Sequence, residues 1–200
     1  MNETLKIILF FLSATAAAVF SGLMLNKVMK KQKFKFNPYI TLAITVGFTL
    51  LEVFLFGISP RVFKGLILLL ILLYASCQDI TSREVSDILP VMILIVAFSD
   101  FVFERSLSML LGGLAVFVPQ MLIVMFTKNK AIRLGGADIK VSTAAAILLG
   151  FFPAAIGFMF GLILSIFCQL IRIKTKKLKK TDAFPLIPYL SVGLMIGYLL

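Results

Sequence analysis

Two aspartates stand at the ends of apolar segments, where their carboxyl groups could perform acid–base chemistry. Asp79 follows an apolar segment that ends in YASCQ, and Asp138 precedes a second apolar segment that begins at Ile139. If these segments pack together, the two carboxyl groups meet in a partly desolvated site, where both cannot ionise easily. One member can then remove a proton from a water molecule while the other protonates an amide carbonyl. The pattern therefore favours an aspartic-protease dyad made of Asp79 and Asp138.

The two acids also fit a structural role or a role in ion transport. Both aspartates could be interfacial acids that end helices, since a negative charge is favourable near a helix N-terminus. Alternatively, Asp79, Asp138 and Glu52 could relay protons or bind cations in a small transporter or channel, because ionisable residues in membrane segments often mark such paths. A transporter would more naturally hold its acids near the bilayer midplane between repeats, and no repeat is evident in the sequence.

The neighbours of the two aspartates suggest how they are positioned. Gly135 and Gly136 have no Cβ, so the backbone can turn there or approach a ligand closely. Lys140 can pair with an acid or face phosphate headgroups, and we expect the second. Asp87 is expected to cap the helix that follows it, with Pro90 in the first turn.

The composition indicates an all-α, polytopic membrane protein. Of the 200 residues, 60% are hydrophobic, far above the usual share in a soluble domain. We expect one integral-membrane domain over residues 1–200, with about eight transmembrane helices, in contact with the lipid bilayer and without a separate soluble domain. The predicted spans are 5–25, 39–58, 62–78, 88–103, 106–127, 139–152, 154–171 and 184–200.

The net charge of +11 is explained by membrane topology rather than by a nucleic-acid partner. Sixteen of the 20 Lys and Arg residues fall in four alternate connections, which are 26–38, 79–87, 128–140 and 172–182. The other four are Lys6, Arg61, Lys64 and Arg105. Because cytoplasmic loops are enriched in Lys and Arg, we expect both aspartates to lie on the cytoplasmic side and both termini outside.

The sequence predicts no metal site and no signal-peptide cleavage. It contains no His and two isolated cysteines, Cys77 and Cys168, without the ligand spacing of a zinc or iron site. Small residues in ATAAAVFSG resemble a cleavage region, but cleavage would leave the five-lysine connection at an external N-terminus. We therefore expect the first segment to be retained as a helix.

Three motifs resemble those of the type IV prepilin peptidases, which are membrane aspartic proteases that include the archaeal preflagellin peptidases. The first is DITSREVSD, residues 79–87, and the second is GGADIK, residues 135–140. The third is the proline-containing element FPLIPYLSVG, residues 184–193. The resemblance covers roughly residues 65–200.

The resemblance implies a specific activity and substrate. Asp79 and Asp138 would be the catalytic residues, and Gly135, Gly136, Ala137, Lys140 and Asp87 would support the loop and the substrate. The implied substrate is a prepilin-like protein of a type IV pilus-like system, cleaved between a short basic leader and a hydrophobic helix. Cleavage would take place at the cytoplasmic face of the cell membrane and would need no metal or organic cofactor.

The sequence departs from the family pattern at two places. Ala137 stands where the second Gly of the Gly-x-Gly-Asp motif is usual, so an inactive family member is a further alternative. The connection after the first span is short and has no Cys, whereas bifunctional members carry a long loop with two Cys pairs. The resemblance therefore implies a peptidase without the N-methyltransferase activity of those members.

Overall fold

A computed structural model describes residues 3–99, 103–127, 135–176 and 184–200, without the side chains of residues 103, 104 and 176. Every regular element in these ranges is an α-helix, so the all-α prediction is confirmed. The eight helices are α1 (Glu3–Lys31), α2 (Pro38–Phe56), α3 (Pro60–Ser82), α4 (Ile88–Phe98), α5 (Phe103–Phe126), α6 (Gly136–Leu149), α7 (Phe151–Lys176) and α8 (Ile187–Leu199).

Five of the eight helices are long and apolar enough to cross a membrane, and these are α1, α2, α3, α5 and α7. The other three are shorter apolar helices, and the sixth predicted span, 139–152, was itself only 14 residues long. Helices α4, α6 and α8 have 11, 14 and 13 residues, or about 16, 21 and 20 Å at 1.5 Å per residue. The hydrocarbon core is about 30 Å thick, so neighbouring protein groups must satisfy the backbone at the ends of these helices.

Local sequence signals set several helix boundaries. The side chain of Asn37 accepts a hydrogen bond from the Tyr39 N–H at 3.0 Å and caps α2, and Ser59 caps α3 in the same way. Both helices begin with a proline, which lacks the N–H that would be unpaired at that position. Helix α3 ends at Arg83, which has a φ of 60°.

Hydrogen bonds between distant residues define one end of the bundle, here called the aspartate end. The N–H of Lys35, in the α1–α2 connection, donates to the hydroxyl of Thr81 at the C-terminus of α3. Lys140, the fifth residue of α6, pairs with Asp87, which directly precedes α4. The C-terminal ends of α1 and α3 therefore lie at the same end as the N-terminal ends of α4 and α6.

Contacts at the opposite end of the bundle, here called the far end, show which helix ends lie together there. Arg61, at the start of α3, donates to the carbonyl of Tyr198 in the last turn of α8 at 2.8 Å. Phe10 of α1 packs edge-on against Phe63 of α3. The first turns of α1 and the last turn of α8 thus lie at one end, as the predicted topology requires.

The most buried helices are the ones that carry the candidate site. Residues of α3, α6 and α8 dominate the hydrophobic core, whereas α1, α5 and α7 expose rows of large apolar side chains on the outside of the bundle. Such an exterior is suited to lipid and would be unfavourable in water. The protein is therefore a multi-pass membrane protein with α6 and α8 enclosed by longer helices.

Glycines allow α7 and α8 to pack at very short distance. Gly157 and Gly161 of α7 face Gly193 and Gly197 of α8, with both pairs at i, i+4 spacing. A Cβ at Gly193 would lie 2.7 Å from the Cα of Gly161, which is too close for any real contact. Small residues at such crossings let helix backbones approach closely in membranes.

We predict that Gly193→Ala destabilises the protein and that Gly47→Ala does not. The added methyl group at Gly193 must push two backbones apart, and overpacking of this kind costs about 1–3 kcal/mol. A Cβ at Gly47 in α2 meets no atom within 4 Å. The thermal unfolding midpoint in detergent is the measurement. Equal midpoints for the two variants would contradict the proposed α7–α8 packing.

Candidate active site

Asp79 lies on the buried face of α3, one turn before the end of the helix. Leu72, Ser76 and Asp79 follow helical spacing and are all buried, with Asp79 only 7% exposed. The Oδ2 atom of Asp79 accepts a hydrogen bond from the backbone N–H of Ile187 at 3.1 Å. Ile187 is the first residue of α8, so Asp79 caps a helix that is 108 residues away in the sequence.

Asp138 lies in the first turn of α6 and caps its own helix. Its Oδ2 atom accepts a hydrogen bond from the N–H of Gly135 at 3.1 Å, the acidic half of a capping box. A Cβ at position 135 would lie 2.8 Å from this oxygen. Gly135 is therefore needed for the close approach of the Asp138 carboxylate, and its φ of −69° requires no glycine.

The two residues between Gly135 and Asp138 belong to α6. Gly136 and Ala137 both have helical backbone, and neither has a positive φ. The conformational freedom that the sequence suggested for Gly136 is not used in this structure, and Ala137 fits without strain. The substitution of Ala for the usual Gly therefore leaves the backbone of the motif intact.

Helix α8 lies between the helices that carry the two aspartates. It packs against both α3 and α6, whereas the sequence argument required α3 and α6 to pack on each other.

Asp138 directly precedes the predicted span 139–152, so its carboxyl group lies outside that span. Burial, and after it the charge of Asp79, raises the pKa of Asp138 to about 7, against the lowering effect of the Gly135 hydrogen bond. The charge of Asp79 thus acts on the Asp138 carboxyl group.

A narrow cleft lies where the three helices converge beside Asp138. It has no room for a water molecule in this structure. Its wall consists of Leu72, Asp138, Val141, Ser142, Ile187, Leu190, Ser191 and Leu194. Asp138 is half-buried and forms part of this wall.

Sequence reasoning missed a polar chain behind Asp138. The side-chain amide of Gln120 in α5 donates to the hydroxyl of Ser142 at 2.8 Å, and this hydroxyl donates to the backbone carbonyl of Asp138 at 2.6 Å. Gln120 and Ser142 are each 1% exposed. A glutamine within an apolar span is costly, so the isolated Gln in VPQML was a signal that a survey of charged residues alone overlooked.

Lys140 and Asp87 form an exposed ion pair at 2.7 Å. Lys140 thus pairs with an acid, in place of the phosphate headgroups expected from the sequence. Asp87 occupies the N-cap position of α4, but its side chain makes no capping hydrogen bond. The pair connects the start of α4 to the start of α6 at the rim of the site.

The remaining acids that the sequence singled out do not join this site. Glu52 is fully buried at the far end, where neither of its carboxyl oxygens has a hydrogen-bond partner among the described residues. A relay through Glu52, Asp79 and Asp138 would therefore have to cross the length of the bundle. Asp100 and the side chain of Glu104 lie outside the described residues.

Metal-binding groups are not assembled in the described part of the chain. No three His, Cys, Asp or Glu residues cluster there in a way that could hold an ion. Cys77 and Cys168 are free thiols.

Comparison with known proteins identifies the family. The family model described as the type IV leader peptidase family matches residues 66–172, which is more than half of the chain and includes both Asp79 and Asp138. No curated protein and no solved structure matches the chain. On the strength of the family match, the chain belongs to the type IV leader peptidase family.

Proposed function

We propose that this peptidase is a membrane aspartic endopeptidase in which Asp79 and Asp138 form the catalytic dyad. The observation that carries the proposal is that Asp79 accepts a hydrogen bond from Ile187 at the start of α8, and that Ile187 and Asp138 line the same cleft. The family match supports it, because the residues that match a leader peptidase include both aspartates.

One carboxyl group acts as the base and the other as the acid, because the two groups share one proton. Asp138 holds this proton, because its pKa is raised by burial and by Asp79. The ionised partner takes a proton from water as the water oxygen bonds to the scissile carbonyl carbon, and Asp138 gives its proton to the carbonyl oxygen. The tetrahedral intermediate then collapses. Asp79 gives the proton it took from water to the leaving nitrogen, the C–N bond breaks, and Asp138 takes a proton back from a hydroxyl group as the carbonyl re-forms. The apparent pKa values belong to the pair.

Hydrolysis also requires the aspartate end to open. The cleft between α3, α6 and α8 is too narrow for water, so an extended peptide and a water molecule enter only if these helices separate. The polar rim formed by Lys140 and Asp87 would then border the entrance.

A prepilin-like precursor fits this arrangement. Its basic leader would remain on the polar side and its hydrophobic helix would lie along the apolar exterior, which brings their junction to the depth of the dyad. By the distribution of Lys and Arg, we infer that this end faces the cytoplasm of the cell and that the termini face outward.

Helix capping by both aspartates favours a second candidate, an inactive member in which these acids are purely structural. Asp79 caps α8 and Asp138 caps α6, each through Oδ2. An asparagine can accept the same hydrogen bond and is an equally good capping residue, but it cannot transfer protons as a carboxyl group does. Substitution by Asn therefore separates the two functions.

We predict that Asp79→Asn and Asp138→Asn each lower the cleavage rate at least about 100-fold, because acid–base groups commonly contribute that much. The unfolding midpoint of each variant should stay near that of the wild type, since Asn retains the capping hydrogen bond. The measurement is removal of the leader from a co-expressed, tagged prepilin-like precursor, scored on a gel.

Glu84→Gln is the matched control for this experiment. Glu84 is an exposed acid five residues after Asp79, and its loss should leave cleavage unchanged. Full activity in either Asn variant would remove that aspartate from the dyad. Inactivity of a well-folded wild type against several precursors would favour the inactive member.

We predict that cleavage declines as the pH rises through about 7. Below the raised pKa of Asp138 its carboxyl group keeps the proton that the mechanism donates, and above it both carboxyl groups are ionised. The rate should also fall at acid pH, where both are protonated. The measurement is the rate between about pH 4 and 9, and a rate that rises steadily above pH 8 would contradict the assignment.

We predict that Ala137→Gly changes the cleavage rate by no more than about threefold. Position 137 is helical with a negative φ, and glycine in a helix costs roughly 1 kcal/mol relative to alanine. The same gel assay measures it. Loss of activity would show that the helical geometry assigned to this motif is wrong, and a large gain would show that Ala137 impairs the natural enzyme.

A further inference from the structure

A cavity of about 300 Å³ lies at the far end of the bundle, away from both aspartates. Residues from the starts of α3, α5 and α7 and from the ends of α4, α6 and α8 form its wall. They are Ser59, Pro60, Arg61, Lys64, Ala97, Arg105, Ser108, Met109, Leu148, Leu149, Gly150, Pro153 and Tyr198. Its volume is at the lower limit of ligand pockets.

Three basic residues line the cavity, and these are Arg61, Lys64 and Arg105. Lys6, in the first turn of α1, lies outside this wall and forms an ion pair with Glu3 at 2.8 Å. Three cations from two different helices have thus converged on one concave site.

The helix dipoles at the wall do not by themselves make the cavity positive. The N-terminal ends of α3, α5 and α7 bring partial positive charge, but the C-terminal ends of α4, α6 and α8 bring partial negative charge to the same wall. The side chains therefore decide the sign. No carboxylate stands among the lining residues in the part of the chain that the structure describes.

Arg61 is held in a fixed orientation at the cavity wall. One of its terminal nitrogens donates to the carbonyl of Tyr198 at 2.8 Å, and its guanidinium lies 4.1 Å above the ring of Phe56 and 5.3 Å from the ring of Tyr198. A guanidinium has five N–H donors, so several remain for a ligand. Arg105 is exposed and approaches from α5.

Two hydroxyl groups of the wall have a hydrogen left to donate. Ser59 Oγ accepts from the N–H of Arg61 at 3.2 Å, and Ser108 Oγ accepts from the N–H of Phe151 at 3.1 Å. Each serine thus acts as an acceptor toward its own backbone partner. Neither hydroxyl donates a hydrogen bond to another described residue, so both hydroxyl hydrogens remain for an acceptor in the cavity.

We propose that this cavity binds a phosphate group. The fixed guanidinium of Arg61, the exposed guanidinium of Arg105 and the hydroxyl donors match the geometry and charge of phosphate oxygens. The cavity opens at an end of a membrane-embedded bundle, so the phosphate can belong to a lipid headgroup or to free phosphate. The site is independent of the proposed dyad, which lies at the other end.

The test is native mass spectrometry of the purified full chain in detergent, with phosphatidylglycerol and with inorganic phosphate as separate probes. Diacylglycerol, which has the same apolar chains without phosphate, is the ligand control. We expect Arg105→Gln to weaken binding of the phosphate-bearing probe about tenfold, since hydrogen bonds to charged groups contribute that much. Lys6→Gln, which removes the same charge outside the cavity, should bind as the wild type.

Each outcome distinguishes a source or overturns the proposal. Binding of phosphatidylglycerol but not of inorganic phosphate identifies a lipid headgroup, and binding of inorganic phosphate with the same Arg105 dependence identifies the free ion. The proposal is overturned if neither probe binds, if diacylglycerol binds equally well, or if Arg105→Gln binds like Lys6→Gln. Unfolding midpoints of both variants should match, which confirms that each is folded.

Discussion

The hydrogen bond from the Ile187 N–H to the Asp79 carboxylate is the interaction on which the aspartate end depends. Helix α8 is too short to cross a bilayer, so its first N–H groups must find partners inside the protein. Pro188, the second residue of the helix, has no N–H, and no side chain caps α8 from the N-cap position. Asp79 supplies that partner from α3, and α8 in turn packs against α6, which carries Asp138.

Each aspartate therefore has a structural role and a proposed catalytic role. As caps, both carboxyl groups accept a backbone hydrogen bond through Oδ2, which orients them. As a proposed dyad, they must also share a proton, and a carboxylate can accept about four hydrogen bonds, so capping does not exhaust either group. Capping thus positions the acids without excluding catalysis, and the chain of Gln120 and Ser142 holds the backbone of Asp138 from behind.

The sequence predicted the helices, their alternation and the residues at the aspartate end, because apolar segments and charged connections determine these features directly. It could not predict that α8 is shorter than the apolar segment 184–200, since apolar composition does not reveal which segments other helices enclose. Nor could it show that Asp79 reaches Ile187, a contact across 108 residues. At Gly135 the structure shows a close approach of the Asp138 carboxyl group, which the sequence argument from backbone freedom did not include.

The proposed dyad requires Asp79 and Asp138 to act as one protonation unit, and infrared titration of the Asp138 carboxyl group measures this coupling. The infrared signal that is lost in Asp138→Asn belongs to the protonated Asp138 carboxyl group. This signal would be followed against pH in the wild type and in Asp79→Asn. We expect a midpoint near pH 7 in the wild type and a lower midpoint in Asp79→Asn, because the charge of Asp79 helps to raise this pKa. Identical midpoints in the two proteins would contradict the dyad.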